Sequence, residues 1–201
     1  MKYTENYLLD ELGQIVMPQW ESPIMEHAAK TICRNGGKIL NIGFGLGIID
    51  TFIQEQNVEE HWIVESHPIV LEKMKNDGWY DKENVVIVEG DWKDVLPIEN
   101  IKFDGIYYDT WKSGGQKYLI ENLHKNLKVG GWFSFWAVLD EKSTHKWTNT
   151  FDALGYKTYI DEVHLSEGTE DEHFKVFKTN LNRKYTAISA QRIGDRKSTI
   201  L

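Results

Sequence analysis

Apolar residues along the chain fall into short clusters whose spacing alternates between the period of a strand and the period of a helix. Apolar runs of strand length occur at 38–43 (KILNIG), 61–66 (HWIVES), 84–90 (NVVIVEG), 103–110 (FDGIYYDT) and 130–139 (GGWFSFWAVL). Segments with helical spacing separate these runs, and in 115–128 the residues Leu119, Leu123 and Leu127 fall on one helical face. Strands that alternate with helices predict an α/β fold with a doubly wound, mostly parallel sheet and helices on both faces.

The two ends of the chain depart from this alternation. A helix is predicted after residue 21, with Ser22 as its N-cap, Pro23 at its first position and the pair Gly36–Gly37 as its stop. The segments 158–165 (TYIDEVHL) and 173–180 (HFKVFKTN) predict a closing antiparallel hairpin. The pattern therefore divides a single domain into an N-terminal helical cap (1–36), a Rossmann-like core (37–180) and a basic C-terminal tail (181–201).

Composition narrows the classes of protein to which the chain can belong. Its 201 residues, of which 41% are hydrophobic, suit one well-buried domain. No apolar stretch approaches the roughly 20 residues that span a bilayer, and the N-terminus lacks the basic start and apolar run of a secretion signal. The single cysteine, Cys33, excludes an internal disulfide and a multi-cysteine zinc site, which favours a reducing, cytoplasmic location.

Charge is distributed unevenly along the chain. The net charge is −8, and because the last 22 residues carry +4, the remainder carries −12. An acidic body repels a polyanion, so nucleic acid is not expected as the main partner, whereas a cationic substrate would be tolerated. No membrane partner and no metal ion are expected, and the sequence leaves open whether the chain forms a homodimer.

Three alternating glycines follow the first strand of the core. Gly43, Gly45 and Gly47 stand between the apolar run that ends at Asn41 and the next helical segment. Glycine permits a tight strand-to-helix turn and lets a ligand approach the backbone closely, because it has no Cβ. Glycine-rich turns also occur without a ligand, so the loop alone does not establish a site. In a doubly wound sheet, however, it lies at the carboxyl ends of the strands, where such sheets bind ligands.

Two further strand ends favour a nucleoside site beside this loop. Glu65 lies 22 residues after Gly43, at the end of the second strand, where an acid can bind both ribose hydroxyls. The third strand ends in Gly90, Asp91 and Trp92, which places them at the same edge, where an adenine ring would lie. The spacing G-x-G-x-G differs from the dinucleotide pattern G-x-G-x-x-G and is more typical of S-adenosylmethionine enzymes, which have no pyrophosphate to hold.

Five segments between about Val16 and about Phe135 carry a resemblance to a known family. They are MPQWESPIM, NIGFGLGIID, EEHWIVESHPIVLEKMK, EGDWKDVLP and FDGIYYDTW. In these segments the chain resembles the guanidinoacetate methyltransferase group, which includes the type IV (N-delta) arginine protein methyltransferases, and it is more similar to the arginine branch. The resemblance implies a class I methyltransferase fold, S-adenosyl-L-methionine as cofactor and S-adenosyl-L-homocysteine as product. It also implies N-methylation of a guanidino group, either of arginine, free or in a peptide, or of a related small compound.

The resemblance also implies roles for individual positions. Cofactor contacts are implied for Met17 and Met25, for the loop residues Gly43, Phe44, Gly45, Leu46, Gly47 and Ile48, for Glu65, Ser66 and His67 at the ribose, for Gly90 and Asp91 beside Trp92 at the adenine, and for Asp109. Substrate contacts are implied for Glu21 and Asp109, which would grip the guanidinium as the catalytic pair, and for the backbone at Val138 and Leu139. Trp20 is expected to be a wall of the substrate pocket or part of the core.

Two carboxylates suit a guanidinium because that group is a planar cation with five N–H donors in a fixed fork. Carboxylates on separate elements can hold it bidentately and so fix which nitrogen faces the methyl donor. Asp109, at the end of the fourth strand, is expected to take the proton that the attacking nitrogen releases. Glu21 also has a structural interpretation, because an acid is favourable beside a helix N-terminus.

The sequence departs from the family pattern at several positions, and other functions stay open. Asn41 stands where many methyltransferases carry an acid, and the segment after Thr110 and Trp111 is short. One alternative is a methyltransferase for a small amine or hydroxyl acceptor, and another is a non-catalytic S-adenosylmethionine-binding protein. Because a mere binding protein would not need both Glu21 and Asp109, their presence argues against the second alternative.

Overall fold

The computed structural model of the chain describes residues 1–112, 114–137, 139–165 and 184–194. The strands in this part are β1 (Lys2–Tyr3), β2 (Tyr7–Leu9), β3 (Ile15–Pro18), β4 (Lys38–Ile42), β5 (Glu60–Glu65), β6 (Val85–Glu89), β7 (Phe103–Tyr108), β8 (Leu127–Phe135), β9 (Tyr156–His164) and β10 (Lys184–Arg192). The α-helices are α1 (Ser22–Ile32), α2 (Ile48–Glu55), α3 (Pro68–Asn76), α4 (Trp92–Val95), α5 (Gln116–Asn122) and α6 (Glu141–Ala153). None of these helices is long and apolar enough to cross a membrane.

Seven strands form one sheet in the order β6-β5-β4-β7-β8-β10-β9. The pairs among β6, β5, β4, β7 and β8 are parallel, whereas β10 pairs antiparallel with both β8 and β9. This topology confirms the predicted doubly wound, mostly parallel sheet with an antiparallel pair at its C-terminal side. The strand order reverses between β4 and β7, so the carboxyl ends of these two strands open the crevice in which such sheets bind ligands.

Helices cover both faces of the sheet, which is why its central strands are nearly continuous apolar runs. Successive residues of β4 enter opposite cores: Ile39 packs in the cluster that contains residues of α1, α2 and α3, and Leu40 packs in the cluster that contains residues of α5 and α6. Burying each such side chain fully contributes about 1.5–3 kcal/mol. The two cores fix β4 and β7 side by side and thereby hold the strand ends in register at the crevice.

The N-terminal region differs from the predicted helical cap. Strands β1, β2 and β3 form a separate three-stranded antiparallel sheet, and the α-helix is confined to Ser22–Ile32, with Glu21 rather than Ser22 as its N-cap. The strands form because their apolar residues have a core to cover, since Leu8 and Met17 are buried in the cluster that contains the glycine loop. The prediction of a helical cap is therefore wrong for residues 2–18.

The C-terminal region also differs from the prediction, because part of the predicted basic tail is an internal strand. Residues 184–192 form β10 between β8 and β9, and Tyr185, Ala187, Ile188 and Ala190 on it are buried. Arg192 is buried as well, since its guanidinium donates to the backbone carbonyls of His124 and Leu127. The strand predicted at 173–180 lies outside the described residues, and the partner of β9 is β10.

Candidate functional site

A cleft with a volume of about 220 Å³ opens at the carboxyl ends of the parallel strands β4, β5, β6 and β7. Many of the predicted cofactor residues line it, namely Met17, Gly43, Phe44, Gly45, Glu65, Ser66, His67, Gly90, Asp91, Trp92 and Asp109. Other lining residues were not predicted, and these include Met1, Leu8 and Val16 from the N-terminal sheet and Val70 from α3. The topology therefore brings four separate strand ends and the N-terminal sheet around one cavity.

The glycine loop is shaped by two close approaches that no other residue would allow. Gly43 has φ +96°, and a Cβ on it would lie 1.9 Å from the carbonyl oxygen of Asp109. Gly45 has φ +57°, and a Cβ there would lie 2.7 Å from the sulfur of Met17, to which Leu46 N–H donates at 3.3 Å. Because L-residues with side chains rarely adopt this backbone, both positions favour glycine. The loop can therefore contact the end of β7 on one side and the N-terminal sheet on the other.

Glu65 joins the glycine loop to the turn between β5 and α3. One carboxylate oxygen accepts from Phe44 N–H at 3.0 Å, and the other accepts from Ser66 N–H at 2.7 Å and His67 N–H at 2.8 Å. These three backbone donors fix the orientation of the carboxylate at the cleft. An ionised carboxylate has about four acceptor positions, so it retains capacity for a ligand hydroxyl.

The end of β6 supplies the opposite edge of the cleft. Asp91 is the N-cap of α4, and one of its carboxylate oxygens accepts from Lys93 N–H at 2.9 Å. Trp92 is buried and packs edge-on against Tyr108 with ring centroids 5.4 Å apart. Asp91 therefore caps α4 and is also exposed at the cleft. Trp92 lines the cleft and packs in the hydrophobic core.

Asn41 lies in β4, at the position where many methyltransferases carry an acid. Its amide nitrogen donates to the Gly43 carbonyl at 2.9 Å and to the two carboxylate oxygens of Asp50 at 2.8 and 2.9 Å. Asp50 also lies 3.1 Å from the imidazole of His61, and all three side chains are fully buried. A second carboxylate at position 41 would face Asp50 in a fully buried site, whereas the Asn41 amide donates to it, so the amide suits this position better than an acid. Asn41 therefore connects Asp50 on α2 to the glycine loop.

The two predicted catalytic carboxylates lie on different elements. Glu21 ends a 3₁₀ turn at the start of α1 and is buried, whereas Asp109 directly follows β7 and is partly exposed. Burial raises the pKa of the Asp109 carboxyl to about 7. Within the described chain, no side chain donates a hydrogen bond to this carboxylate. Asp109 thus combines access to the cleft with a basicity well above that of an ordinary aspartate.

The charges of both carboxylates act on two buried tyrosines. Burial and then the negative charge of Asp109 raise the pKa of Tyr107, and Glu21 adds a smaller effect. Burial also raises the pKa of Tyr185, and the charges of Asp109 and Glu21 act in the same direction, although a hydrogen bond from Ala137 N–H opposes them. Because both carboxylates act on the same two phenols, Glu21 and Asp109 border one acidic region beside the cleft.

Tyr185 is the residue of this region that sequence reasoning missed. It was assigned to the tail, yet it is only 2% exposed and packs in an apolar cluster with Trp20, Ile24 and Val163. The alternation of apolar and polar residues in KYTAISA (184–190) was the signal that could have revealed a strand here. Trp20 is buried in this apolar cluster, and its predicted contact with the substrate stays a prediction.

Some predicted site residues lie away from the cleft surface. Met25 is fully buried beneath it, and its sulfur accepts from the Tyr107 hydroxyl at 3.4 Å. Gly47 and Ile48 form the start of α2, and Ile48 is buried in the core. The side chain of Leu139 packs in the second core, with residues of β8 and α6, rather than beside the carboxylates. Val138 lies outside the described residues.

The N-terminal sheet is fixed at the cleft by polar contacts that could not be predicted from sequence patterns. The Tyr3 hydroxyl donates to the Gly45 carbonyl at 2.8 Å. Lys112, which follows the β7 loop, donates to the buried Asp10 at 2.9 Å and to Gln14 at 2.5 Å. These contacts tie β1 and the turn between β2 and β3 to two of the loops that form the cleft. Among the described residues, no cluster of His, Cys, Asp and Glu could hold a metal ion.

Comparison with known proteins agrees with this architecture. The model of a family described as guanidinoacetate N-methyltransferase matches residues 2–138. The protein arginine N-methyltransferase 2 of Candida glabrata is 54% identical over 120 residues, which are 55% of this chain and 29% of that protein. The protein of the same name from Yarrowia lipolytica is 46% identical over 184 residues, which are 82% of this chain and 36% of that protein. The chain therefore spans about a third of the length of these curated relatives.

Solved structures resemble the fold at low sequence identity. A precorrin-6y C5,15-methyltransferase from Geobacter metallireducens superposes with a TM-score of 0.62 at 14% identity and covers 92% of this chain and 93% of its own. The TYW2 protein of M. jannaschii, solved in complex with AdoMet, superposes with a TM-score of 0.58 at 12% identity and covers 94% of this chain and 82% of its own. At these identities the superpositions establish the fold alone.

Proposed function

The chain belongs to the guanidinoacetate N-methyltransferase family, and we propose that it is an S-adenosylmethionine-dependent enzyme that methylates a guanidino nitrogen. The observation that carries this proposal is the acidic region formed by Glu21 and Asp109 beside the glycine-lined cleft. A region with two carboxylates and aromatic walls is suited to a cation with several N–H donors. It is poorly suited to a neutral phenol or a carboxylate.

The residues of the cleft fit S-adenosylmethionine. Gly43 and Gly45 present bare backbone to the cavity, and a Cβ at either position would collide with a neighbouring residue. Glu65 offers its fixed carboxylate to the ribose hydroxyls, and Asp91 stands at the edge where an adenine would lie. When bound, S-adenosylmethionine supplies a methyl group that is already activated by its attachment to a sulfonium. The chain therefore has to position the acceptor nitrogen and accept a proton.

Asp109 is suited to both of these tasks. Its backbone N–H is held by the Ile42 carbonyl at 3.0 Å, and its own carbonyl packs against Gly43, so its position relative to the cofactor loop is fixed. A guanidinium nitrogen that gains a methyl group loses a proton, and the carboxylate of Asp109 is placed to take it. Glu21 holds the guanidinium from the side of α1 and restricts its rotation. Alignment of this kind accounts for a large part of the rate, because the methyl donor needs no further activation.

We propose arginine, free or within a peptide, as the acceptor. The support is the similarity to proteins named protein arginine N-methyltransferase 2, which exceeds 40% identity in several fungal sequences. The chain spans about a third of the length of those proteins. That it also docks a protein substrate is therefore a proposal. A cytoplasmic location and the absence of a nucleic-acid partner are proposed from the single cysteine and the acidic body.

Mass spectrometry of a methyl-transfer assay tests the proposal directly. The purified chain is incubated with S-adenosylmethionine and, in separate reactions, with free arginine, an arginine peptide, guanidinoacetate, a primary amine and a catechol. A mass gain of one methyl group on a guanidino compound is expected, with loss of that gain in Asp109→Asn. Methylation of the catechol or the amine instead would establish the alternative acceptor class. Binding of S-adenosylhomocysteine without turnover of any acceptor would support the non-catalytic alternative.

A further inference from the structure

The phenol of Tyr185, on β10, is buried within reach of the charges of Asp109 and Glu21, the two carboxylates proposed to bind the acceptor. Tyr185 is 2% exposed, and its ring packs in a cluster with Trp20 and Ile24, against which Trp136 also packs. A hydroxyl in such an apolar cluster costs free energy unless it is hydrogen-bonded. Its position deep in the molecule therefore needs a reason beyond packing, which a phenylalanine would provide equally well.

One partner of this hydroxyl is the backbone that leaves β8. The Tyr185 oxygen accepts from Ala137 N–H at 3.1 Å. The preceding N–H, that of Trp136, donates to the Tyr108 carbonyl at 3.1 Å, and Tyr108 is the residue directly before Asp109. Through these two bonds, the segment after β8 is held between β10 on one side and the strand end that carries the catalytic base on the other.

The second feature of this hydroxyl is its electrostatic setting. A phenol carries one O–H donor and two lone pairs, whereas an ionised carboxylate can only accept. The side-chain charges that act on Tyr185 are those of Asp109 and Glu21. Tyr107, the other phenol of the region, directs its O–H to the Met25 sulfur. Tyr185 is thus the phenol that holds the backbone after β8 through its hydroxyl, while its ring packs in one cluster with Trp20, the residue directly before Glu21.

Resting on the proposed function, we propose that Tyr185 is a positioning residue of the acceptor site. Its hydroxyl fixes the Ala137 backbone and, through that segment and the two carboxylates, sets the place of the guanidinium. Strand β10 is therefore part of the acceptor site as well as a closing strand of the sheet. The cofactor cleft lies among β4–β7 and the N-terminal sheet and does not include Tyr185, so acceptor and cofactor binding should respond differently to its loss.

The test compares Tyr185→Phe with Tyr159→Phe. The first substitution removes the hydroxyl and keeps the ring, and the second does the same to a half-buried tyrosine of the adjacent strand β9, whose ring packs on Trp132. Steady-state kinetics with arginine should show an acceptor KM about tenfold higher in Tyr185→Phe, the effect expected from losing one hydrogen bond. The pH dependence of kcat/KM should stay at its wild-type position, because no side chain of the described residues donates a hydrogen bond to Asp109. The dissociation constant of S-adenosylhomocysteine should change less than twofold, and Tyr159→Phe should resemble wild type in every measurement.

The outcomes separate this inference from the function on which it rests. Wild-type protein that methylates no guanidino compound would overturn the proposed function itself. If the wild type is active and Tyr185→Phe keeps its acceptor KM, only the role of Tyr185 is overturned. A Tyr185→Phe chain without a cooperative thermal transition, or one that loses cofactor and acceptor affinity equally, would also overturn it, because the hydroxyl would then be structural.

Discussion

Asp109→Asn tests the proposed reaction most directly. Burial raises the pKa of Asp109 from 3.8 to about 7. Asparagine keeps the shape of the side chain but removes its charge and its basicity. If the carboxylate accepts the proton of the guanidinium, the catalytic rate is expected to fall by roughly 10²–10⁴-fold, the usual contribution of a positioned base. Glu21→Gln should retain more turnover than Asp109→Asn, because it loosens the grip on the acceptor and leaves the base in place.

The same substitution predicts a change in stability that depends on pH. An acid whose pKa is higher in the folded chain than in the unfolded chain holds its proton more tightly when folded. Its ionisation therefore lowers stability as pH rises from about 4 to about 7, and the loss is constant above that range. A shift of about three units corresponds to at most about 4 kcal/mol. Because Asp109 is partly exposed, we expect Asp109→Asn to gain about 1–3 kcal/mol over wild type at pH 8 and almost nothing at pH 4.

Urea unfolding at pH 4, 6, 7 and 8.5 measures this gain, and initial rates of arginine methylation between pH 6 and pH 9 measure the catalytic effect. Asp152→Asn is the matched control, since Asp152 is an exposed residue of α6 far along the chain from the cleft residues. Turnover near the wild-type rate in Asp109→Asn would refute the role of base. A stability difference that is the same at every pH would refute the ionisation argument.

Three further substitutions and one truncation test other parts of the site. Glu65→Ala removes the proposed ribose contact and should weaken S-adenosylhomocysteine binding by about 1.5–3 kcal/mol, and calorimetry that finds an unchanged affinity would contradict the assignment. Gly43→Ala should reduce both cofactor affinity and turnover, because its Cβ would meet the Asp109 carbonyl; normal values for both would show that the loop adjusts freely. Lys112→Met removes the ion pair with Asp10 and should speed S-adenosylhomocysteine release severalfold in stopped-flow measurements, whereas an unchanged release rate would exclude this role. Truncation after Asn182 deletes an internal strand and should abolish the cooperative thermal transition, so a truncated chain that still melts cooperatively would disprove the need for β10.

The parallel core and most residues that line the cleft could be predicted from sequence because their signals are local. Each strand of the core is a short apolar run with a turn or helix after it, and the sheet must bury both faces, so the alternation alone specifies the class of fold. The glycine loop and Glu65 each follow a strand, and parallel strands bring their carboxyl ends to one edge. Placing Gly43, Glu65 and Asp91 together therefore needed no knowledge of strand order.

The ends of the chain could not be predicted in this way, because their pairing is not local. The strands of the N-terminal sheet have two to four residues, which is too short for a periodic signal. The position of β10 between β8 and β9 depends on a contact between residues more than fifty positions apart, such as Ser134 and Ser189. The excess of Arg and Lys near the C-terminus suggested a basic tail that follows the core, whereas Arg192 belongs to an internal strand and is buried with backbone carbonyls as its partners.

Asn41 shows why a missing motif residue need not mean a missing function. By sequence, Asn41 stood out because many methyltransferases carry an acid at this position. In the fold, Asp50 on α2 carries the charge and reaches the glycine loop through the Asn41 amide. An aspartate at 41 would set two buried carboxylates against each other, so the asparagine is the residue that this arrangement requires. The pair Asn41–Asp50 therefore joins a strand and a helix to the glycine loop, and only the fold reveals that the two positions are in contact.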